Sequence, residues 1–488
     1  MKVIVYGTGL ITNKDTTVSD VEAAAGTIFN GGIEFNCARY GVTIVGYVQP
    51  HLDKSLNVLK NTRILEPSEL NALEYDYIIV NSQFDKNNAQ LVLSQNGVAP
   101  QKVLSFKSDF HTIIRAFESS SCISIRHHKI VDDRLNTATI SYDISHKSTD
   151  NVFSRIDDIN ENIFVADILS AYERTIDDAE HDTIPPELQV GKNWHNFLKG
   201  SRPNFYTAIN KKDQIGLKKL LQNFYRNEMS SGILGGVEAF HAFCNDAHHA
   251  GNFRRVFNVW KNSLLEPKVE QLACKNVGNP YGIYLDGNIV HANNMLNNYR
   301  AVTTINLLSD LNRPIVMEVG GGYGGYAESL FSCGFQGTYI NFDLPENLIV
   351  SSYYLMMCFP DKKILTYQDN IETLSRAELE KYDIILLPHY LIEKIEELSI
   401  DFAINTISFS EMDFRNISHY LEIFSKVSRH YIYHENMLDG GAGFEFYPVS
   451  TFPTLEAFKL IFSSPSRWPW FSINSSHYHH AEFLYERK

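Results

Sequence analysis

The run Met317-Glu318-Val319-Gly320-Gly321-Gly322-Tyr323-Gly324 decides how the chain is read. It sits at a strand-to-helix junction, after the apolar strand Ile315–Val319. The glycines at 320, 322 and 324 let the backbone turn tightly and come close to a ligand. Such a loop alone fits a dinucleotide site or a plain structural turn.

Three details favour another ligand. Glu318 precedes the first glycine by two positions, and an acid there suits a ligand with an ammonium group. The next strand ends in Asp343, 25 residues after Glu318, where an acid can hold a ribose diol. No Lys or Arg that would seek a phosphate lies in or near the loop in sequence. A nucleoside that carries an amino acid and no phosphate meets all three conditions. The expected cofactor is S-adenosylmethionine, with Glu318, Gly320, Gly322, Gly324 and Asp343 as its site.

Around this loop, strands alternate with helices from Pro314 onward. The expected strands are Ile315–Val319, Thr338–Phe342, Lys363–Tyr367, Asp383–Leu387, Phe402–Ser408 and Tyr431–Tyr433, with a closing strand near Glu482–Tyr485. The fold class is therefore α/β, with residues 313–488 as one Rossmann-like domain. Residues 156–312 read as a helical cap or substrate region, punctuated by Gly235-Gly236 and Gly278-Asn279-Pro280-Tyr281-Gly282. Residues 107–155 read as a linker hairpin with Val131-Asp132-Asp133-Arg134 as its turn. Residues 1–106 alternate again, from Val3-Ile4-Val5-Tyr6 to Lys102–Phe106, as a smaller Rossmann-like domain.

The chain has 488 residues, a length suited to about three domains. Its 43 Lys and Arg against 57 Asp and Glu leave a formal charge of −14, which argues against nucleic acid as a partner. No apolar stretch reaches the ~18 residues of a membrane span. Met1–Gly9 reads as a strand and turn, not as a signal peptide. The six cysteines form no CxxC and read as reduced thiols, so a cytoplasmic protein is expected. The sequence leaves a homo-oligomer open.

Residues 315–345, Phe342-Asp343-Leu344-Pro345-Glu346, Tyr353-Tyr354-Leu355 and Asn405-Thr406-Ile407-Ser408-Phe409-Ser410-Glu411-Met412 together resemble the sugar O-methyltransferase family of bacterial polysaccharide loci. Asn279-Pro280 and Tyr299-Arg300 resemble that family's preceding segment, so the similarity spans roughly 160–488. The resemblance implies a class I methyltransferase fold. It also implies methyl transfer from S-adenosylmethionine to a hydroxyl of a sugar or glycoconjugate in polysaccharide biosynthesis. A non-sugar acceptor, such as a peptide or natural product, and a non-catalytic assembly protein of the same fold are the alternatives. The N-terminal runs Gly7-Thr8-Gly9, Gly46-Tyr47-Val48 and Leu65-Glu66-Pro67-Ser68-Glu69-Leu70 are similar to small Rossmann-like domains attached to sugar-modifying enzymes. Thr12 stands where the third glycine belongs, and Val48-Gln49 supplies no acid, which favours a structural or docking role over nucleotide binding.

O-methylation needs a hydroxyl that loses its proton, to a general base or through a metal ion. Candidates at carboxyl ends of strands are His389, Glu411, Asp413 and His434. His434 is the first choice, since imidazole titrates near neutral pH. A divalent metal is open but not indicated. His477, His479 and His480 do not share one strand face, and the pairs His127-His128 and His248-His249 do not converge easily on one ion. Trp468-Pro469-Trp470 and Tyr299-Arg300 offer faces for a sugar ring or adenine, or are core aromatics and a helix-surface arginine.

Overall fold

The computed structural model describes residues 1–6, 42–105, 159–245 and 266–488, apart from 49–57, 60–61, 81–84, 182–183, 369–370, 438–446, 448 and 467–479, with isolated positions between 109 and 116 and between 253 and 264. The expected hairpin within 107–155, Gly7-Thr8-Gly9, His127-His128, His248-His249, His477, His479 and Trp468-Pro469-Trp470 fall outside the described residues, the hairpin but for isolated positions.

The N-terminal sheet contains β1 (Lys2–Tyr6), β2 (Thr43–Val48), β3 (Val58–Leu59), β4 (Thr62–Leu65), β5 (Tyr77–Val80) and β6 (Val103–Ser105) in the order β3-β4-β2-β1-β5-β6. All pairs are parallel except β3–β4. Val3, Ile4 and Val5 are fully buried, as a central parallel strand covered on both faces requires. Helix α1 (Lys86–Gln95) is capped by Asp85, whose side chain accepts the Asn88 N–H.

The middle region carries α2 (Ile159–His181), α3 (Lys192–Ser201), α4 (Pro203–Asn210), α5 (Gln214–Leu221) and α6 (Gly236–Asn245). It is not wholly helical. Strands β7 (Ile283–Leu285) and β8 (Asn288–Val290) form a hairpin turned by Asp286-Gly287, both with positive φ. That dipeptide between apolar runs is a type I′ signal that a helical reading passes over. Helix α7 (Ala292–Leu307) follows and is buried along most of its length.

The C-terminal sheet has eight strands: β9 (Ile315–Val319), β10 (Thr338–Asp343), β11 (Ile364–Leu365), β12 (Ile384–Pro388), β13 (Ile400–Thr406), β14 (Ser428–Met437), β15 (Phe458–Pro465) and β16 (His480–Arg487). Their order is β11-β12-β10-β9-β13-β14-β16-β15. The first six are parallel, and β16 runs antiparallel to both β14 and β15. Helices α8 (Gly325–Ser332), α9 (Pro345–Cys358), α10 (Arg376–Leu379) and α11 (Phe414–Val427) link the parallel strands. The fold class is the expected one: α/β, with a Rossmann-like C-terminal sheet, a largely helical middle and a smaller N-terminal Rossmann-like sheet.

Three strand readings change, the expected Lys363–Tyr367 strand being only Ile364–Leu365. The expected Tyr431–Tyr433 strand is ten residues long, because β16 pairs with it from Tyr431↔Glu486 to Met437↔His480. Strand β15 has no counterpart among the expected strands. The consequence for the site is that β10 and β13 flank β9 on opposite sides, so the strand order reverses there. Ligand crevices of open α/β sheets form at such a point, beyond the carboxyl ends of the strands.

Candidate functional site

Gly320, Gly322 and Gly324 all have positive φ, at 78°, 58° and 88°. A side chain at Gly320 would collide with Ser408 Oγ, and one at Gly322 would lie 3.1 Å from Ile233 Cγ2. Gly324 is the N-cap residue of α8. The loop is pinned to β10 from below. The Gly321 N–H donates to Asn341 Oδ1 (3.0 Å) and the Gly322 N–H to Asp343 Oδ2 (2.7 Å).

Asp343 is held on its other oxygen as well. Oδ1 accepts from the Leu344 N–H (2.7 Å) and from Asn347 Nδ2 (3.0 Å). Burial pushes its pKa up to about 6, against the pull of these donors. Glu318, near the end of β9, is buried and accepts from the Tyr339 hydroxyl. Burial pushes its pKa up to about 7, with Tyr339 and Arg300 opposing. A cationic group beside it would keep it ionised.

Two cavities meet at the loop. One, of about 370 Å³, is lined by Glu318, Gly320–Gly322, Tyr281, His291, Asn297, Arg300 and Glu411, among others. The other, of about 470 Å³, is lined by Gly320, Gly322, Asp343, Asn347, His389, Glu411, Asp413 and Arg415, among others. Gly232, Gly320, Gly322, Ser408 and Glu411 line both.

The segment Asn405–Met412 builds the floor between them. Asn405 Nδ2 donates to the Val319 carbonyl oxygen (2.9 Å) and to Ser408 Oγ (2.6 Å). Its Oδ1 accepts from Asn436 Nδ2 (2.9 Å) and from the Phe409 N–H (3.3 Å). Ile407 turns the chain with a φ of 70°, and its N–H donates to the Glu435 carbonyl oxygen (2.7 Å). Positive φ at a β-branched residue is strained, and here the surrounding hydrogen bonds hold it. The turn delivers Glu411 to both cavities. Among the described residues its carboxylate makes no hydrogen bond, and burial pushes its pKa up to about 7.

The other acid–base candidates are placed differently. His434 lies inside β14, not at its end, and lines neither cavity. Its ring packs on Phe483 and Tyr485, with centroids 4.9 and 5.7 Å away, and its Nε2 is 3.4 Å from the Tyr485 hydroxyl. The extension of β14 through Met437 removes it from the crevice. The structure thus places the first-choice base within the packed sheet, away from both cavities. His389 lines the cavity on the Asp343 side, with Nε2 2.9 Å from the Leu188 carbonyl oxygen, and burial lowers its pKa. Asp413 lines the same cavity at the N-cap position of α11, where its side chain makes no capping bond.

Sequence reasoning missed His291 and the inward pairing of Arg300 in the wall that α7 supplies. His291 caps this helix; its Nδ1 accepts the Asn293 N–H (3.2 Å), and burial lowers its pKa to about 4. Arg300 is not a helix-surface arginine. Its Nε and Nη2 donate to Glu435 Oε2 at 3.1 and 2.6 Å, both residues being buried. Tyr299 likewise points inward, to Glu482 (3.1 Å). Two arginines distant in sequence therefore line the cavities, Arg300 and Arg415, although the loop itself has none. The only advance signal for this wall was Tyr299-Arg300.

Among the described residues no group of three or more His, Cys, Asp or Glu is placed to hold a metal ion, and no helix is long and apolar enough to cross a membrane. His480 opens β16 and is buried there.

Residues 1–104 match the family model described as C2185-like, N-terminal. No curated protein matches the chain. Among solved structures, similarity is found to a geranyl diphosphate methyltransferase in complex with GPP and sinefungin (9% identity, 39% of this chain, 78% of that chain, TM-score 0.29). It is found also to magnesium protoporphyrin IX methyltransferase from Synechocystis PCC 6803 with bound SAH (8%, 40%, 84%, TM-score 0.28). A third is mitomycin 7-O-methyltransferase (12%, 40%, 57%, TM-score 0.26).

Proposed function

We propose that the chain is a methyltransferase that binds S-adenosylmethionine in the crevice beyond β9 and methylates a hydroxyl group. One observation carries this reading. Two buried acids, Glu318 and Asp343, flank a loop of positive-φ glycines at the point where the strand order reverses. The residues fit the cofactor. Asp343 keeps an acceptor position on Oδ2 for a ribose hydroxyl, Glu318 suits the ammonium group, and the glycines leave room that side chains would fill. The family resemblance of residues 160–488 and the methyltransferase names of the solved structures accord with it.

The cofactor supplies an electrophilic methyl group on a sulfonium. The chain's own contribution is positioning and one proton transfer. Glu411, at the junction of the two cavities and with its pKa near 7, takes the hydroxyl proton as the oxygen–carbon bond forms and the sulfur–carbon bond breaks. His291, Asn297 and Tyr281 face the cavity on the Glu318 side, where the acceptor enters.

For the acceptor we take the reading of the family resemblance, a sugar hydroxyl of a polysaccharide precursor or glycoconjugate, handled by a cytoplasmic enzyme of the 313–488 domain with 156–312 as its cap. A peptide or natural-product acceptor and a non-catalytic assembly role are the rivals. Calorimetric titration with S-adenosylhomocysteine tests the cofactor: binding is expected, and its absence at millimolar ligand would sink the reading. Radiolabelled S-adenosylmethionine, screened against nucleotide sugars, extracted polysaccharides and non-sugar hydroxyl compounds, separates the acceptors.

A further inference from the structure

Arg202 lies at the joint between α3 and α4, fully buried and far in sequence from the glycine loop. Its Nη2 donates to the Ser231 carbonyl oxygen and, at 3.0 Å, to Asn347 Oδ1. Its Nη1 is 3.4 Å from the Glu346 carbonyl oxygen. Asn347 in turn donates through Nδ2 to Asp343 Oδ1 (3.0 Å), and Asp343 Oδ2 accepts the Gly322 N–H (2.7 Å). These bonds form one chain from the helical region to the loop.

The direction of that chain follows from donor chemistry. A guanidinium only donates, so Asn347 must turn its oxygen toward Arg202. Its NH₂ then faces Asp343. The flipped amide would set NH₂ against the guanidinium and oxygen against the carboxylate, two repulsions at once. Ser231 belongs to the same turn as Gly232 and Ile233. Gly232 lines both cavities, and Ile233 lies over Gly322. Arg202 therefore touches the roof of the crevice with one donor and the support of its ribose-facing acid with another.

We infer that Arg202 is a positioning residue that sets the Asn347 amide, and through it the Asp343 carboxylate, for the cofactor's ribose, so that cofactor affinity depends on the helical region being docked. This rests on the cofactor reading above.

The test is a double-mutant cycle on the full chain, with S-adenosylhomocysteine as the probe in calorimetry. Arg202→Met should weaken binding roughly tenfold, the scale of one lost charge-assisted hydrogen bond. Asn347→Ala should weaken it by a similar factor. The double variant should lose little more than either single one, because both break the same chain. Arg202→Lys, which keeps a donor at Asn347, should recover much of the affinity. Tyr206→Phe removes a neighbouring bond from α4 to Glu346 Oε1 (2.9 Å) without touching Asn347, and should bind as wild type. Losses that multiply in the double variant, or Arg202→Met and Arg202→Lys both binding as wild type, would overturn the relay. If Arg202→Met fails to fold, Asn347→Ala and Arg202→Lys still decide: wild-type affinity in Asn347→Ala would end the proposal. Absence of binding to the wild-type chain would overturn the cofactor reading itself, a separate result.

Discussion

Arg300 Nη2 lies 2.6 Å from Glu435 Oε2, and both side chains are buried. The pair joins α7, which walls the crevice, to β14 in the sheet. Burial alone would lower the arginine's pKa and raise the glutamate's. The mutual attraction overrides this, leaving Arg300 above and Glu435 below their ordinary values.

Breaking this pair should cost more than it would at a surface. Arg300→Met leaves a buried carboxylate without its cation, and about 3–5 kcal/mol of stability should be lost. Arg300→Met combined with Glu435→Gln should lose less than Arg300→Met alone. Urea unfolding of the wild type and both variants at pH 7.5 measures this. A single variant as stable as wild type would mean the pair is not buried in solution.

Glu411 ties stability to pH. Its folded pKa of about 7 lies above the ordinary value of 4.5, so between those values the folded chain holds more protons than the unfolded one. Stability must then fall as pH rises through that window. Glu411→Gln removes the cost of the partly buried charge. It should stabilise the chain by about 1–3 kcal/mol at pH 8 and by almost nothing at pH 4. Thermal unfolding at both pH values checks the difference, and an equal effect at both would refute the assignment.

The glycine loop should tolerate no added side chain at Gly322. Valine there meets a positive φ of 58° and Ile233 at 3.1 Å. Gly322→Val should abolish binding of S-adenosylhomocysteine while most of the fold remains. Asp343→Ala should weaken it by about 1.5–3 kcal/mol. Calorimetry on both variants gives the answer; normal affinity in either removes that residue from the cofactor site.

The choice of base is tested by turnover on whichever acceptor the screen returns. Glu411→Ala should lower the rate roughly 10²–10⁴-fold and remove the pH limb near neutrality. His434→Phe should change stability and leave that limb in place. The reverse pattern would return the proton transfer to His434. Loss of activity only in His389→Ala would move it to the strand next to β10.

Much of the crevice was legible in the sequence because its determinants are local. A buried parallel strand reads as an apolar run, and the turn that ends it requires glycine at positive φ. An acid at the end of the next strand lies beside that turn whenever the two strands pair in register, as Phe342 does with Val319. Spacing alone therefore brings Glu318, Gly320, Gly322, Gly324 and Asp343 to one crevice. It does not place the acid–base candidates. Whether His434 ends a strand or lies within one depends on β16, almost fifty residues later, which pairs along β14 to Met437 and carries the histidine into the packed sheet. The position of Glu411 depends on the turn at Ile407, held by Asn405, Asn436 and the Glu435 carbonyl. Arg300 and His291 reach the crevice, and Arg202 its supporting Asn347, only because helices from the middle of the chain dock there. Backbone conformation and strand pattern are encoded by neighbours in sequence, whereas burial, charge pairing and the direction of a hydrogen-bond chain are decided by neighbours in space.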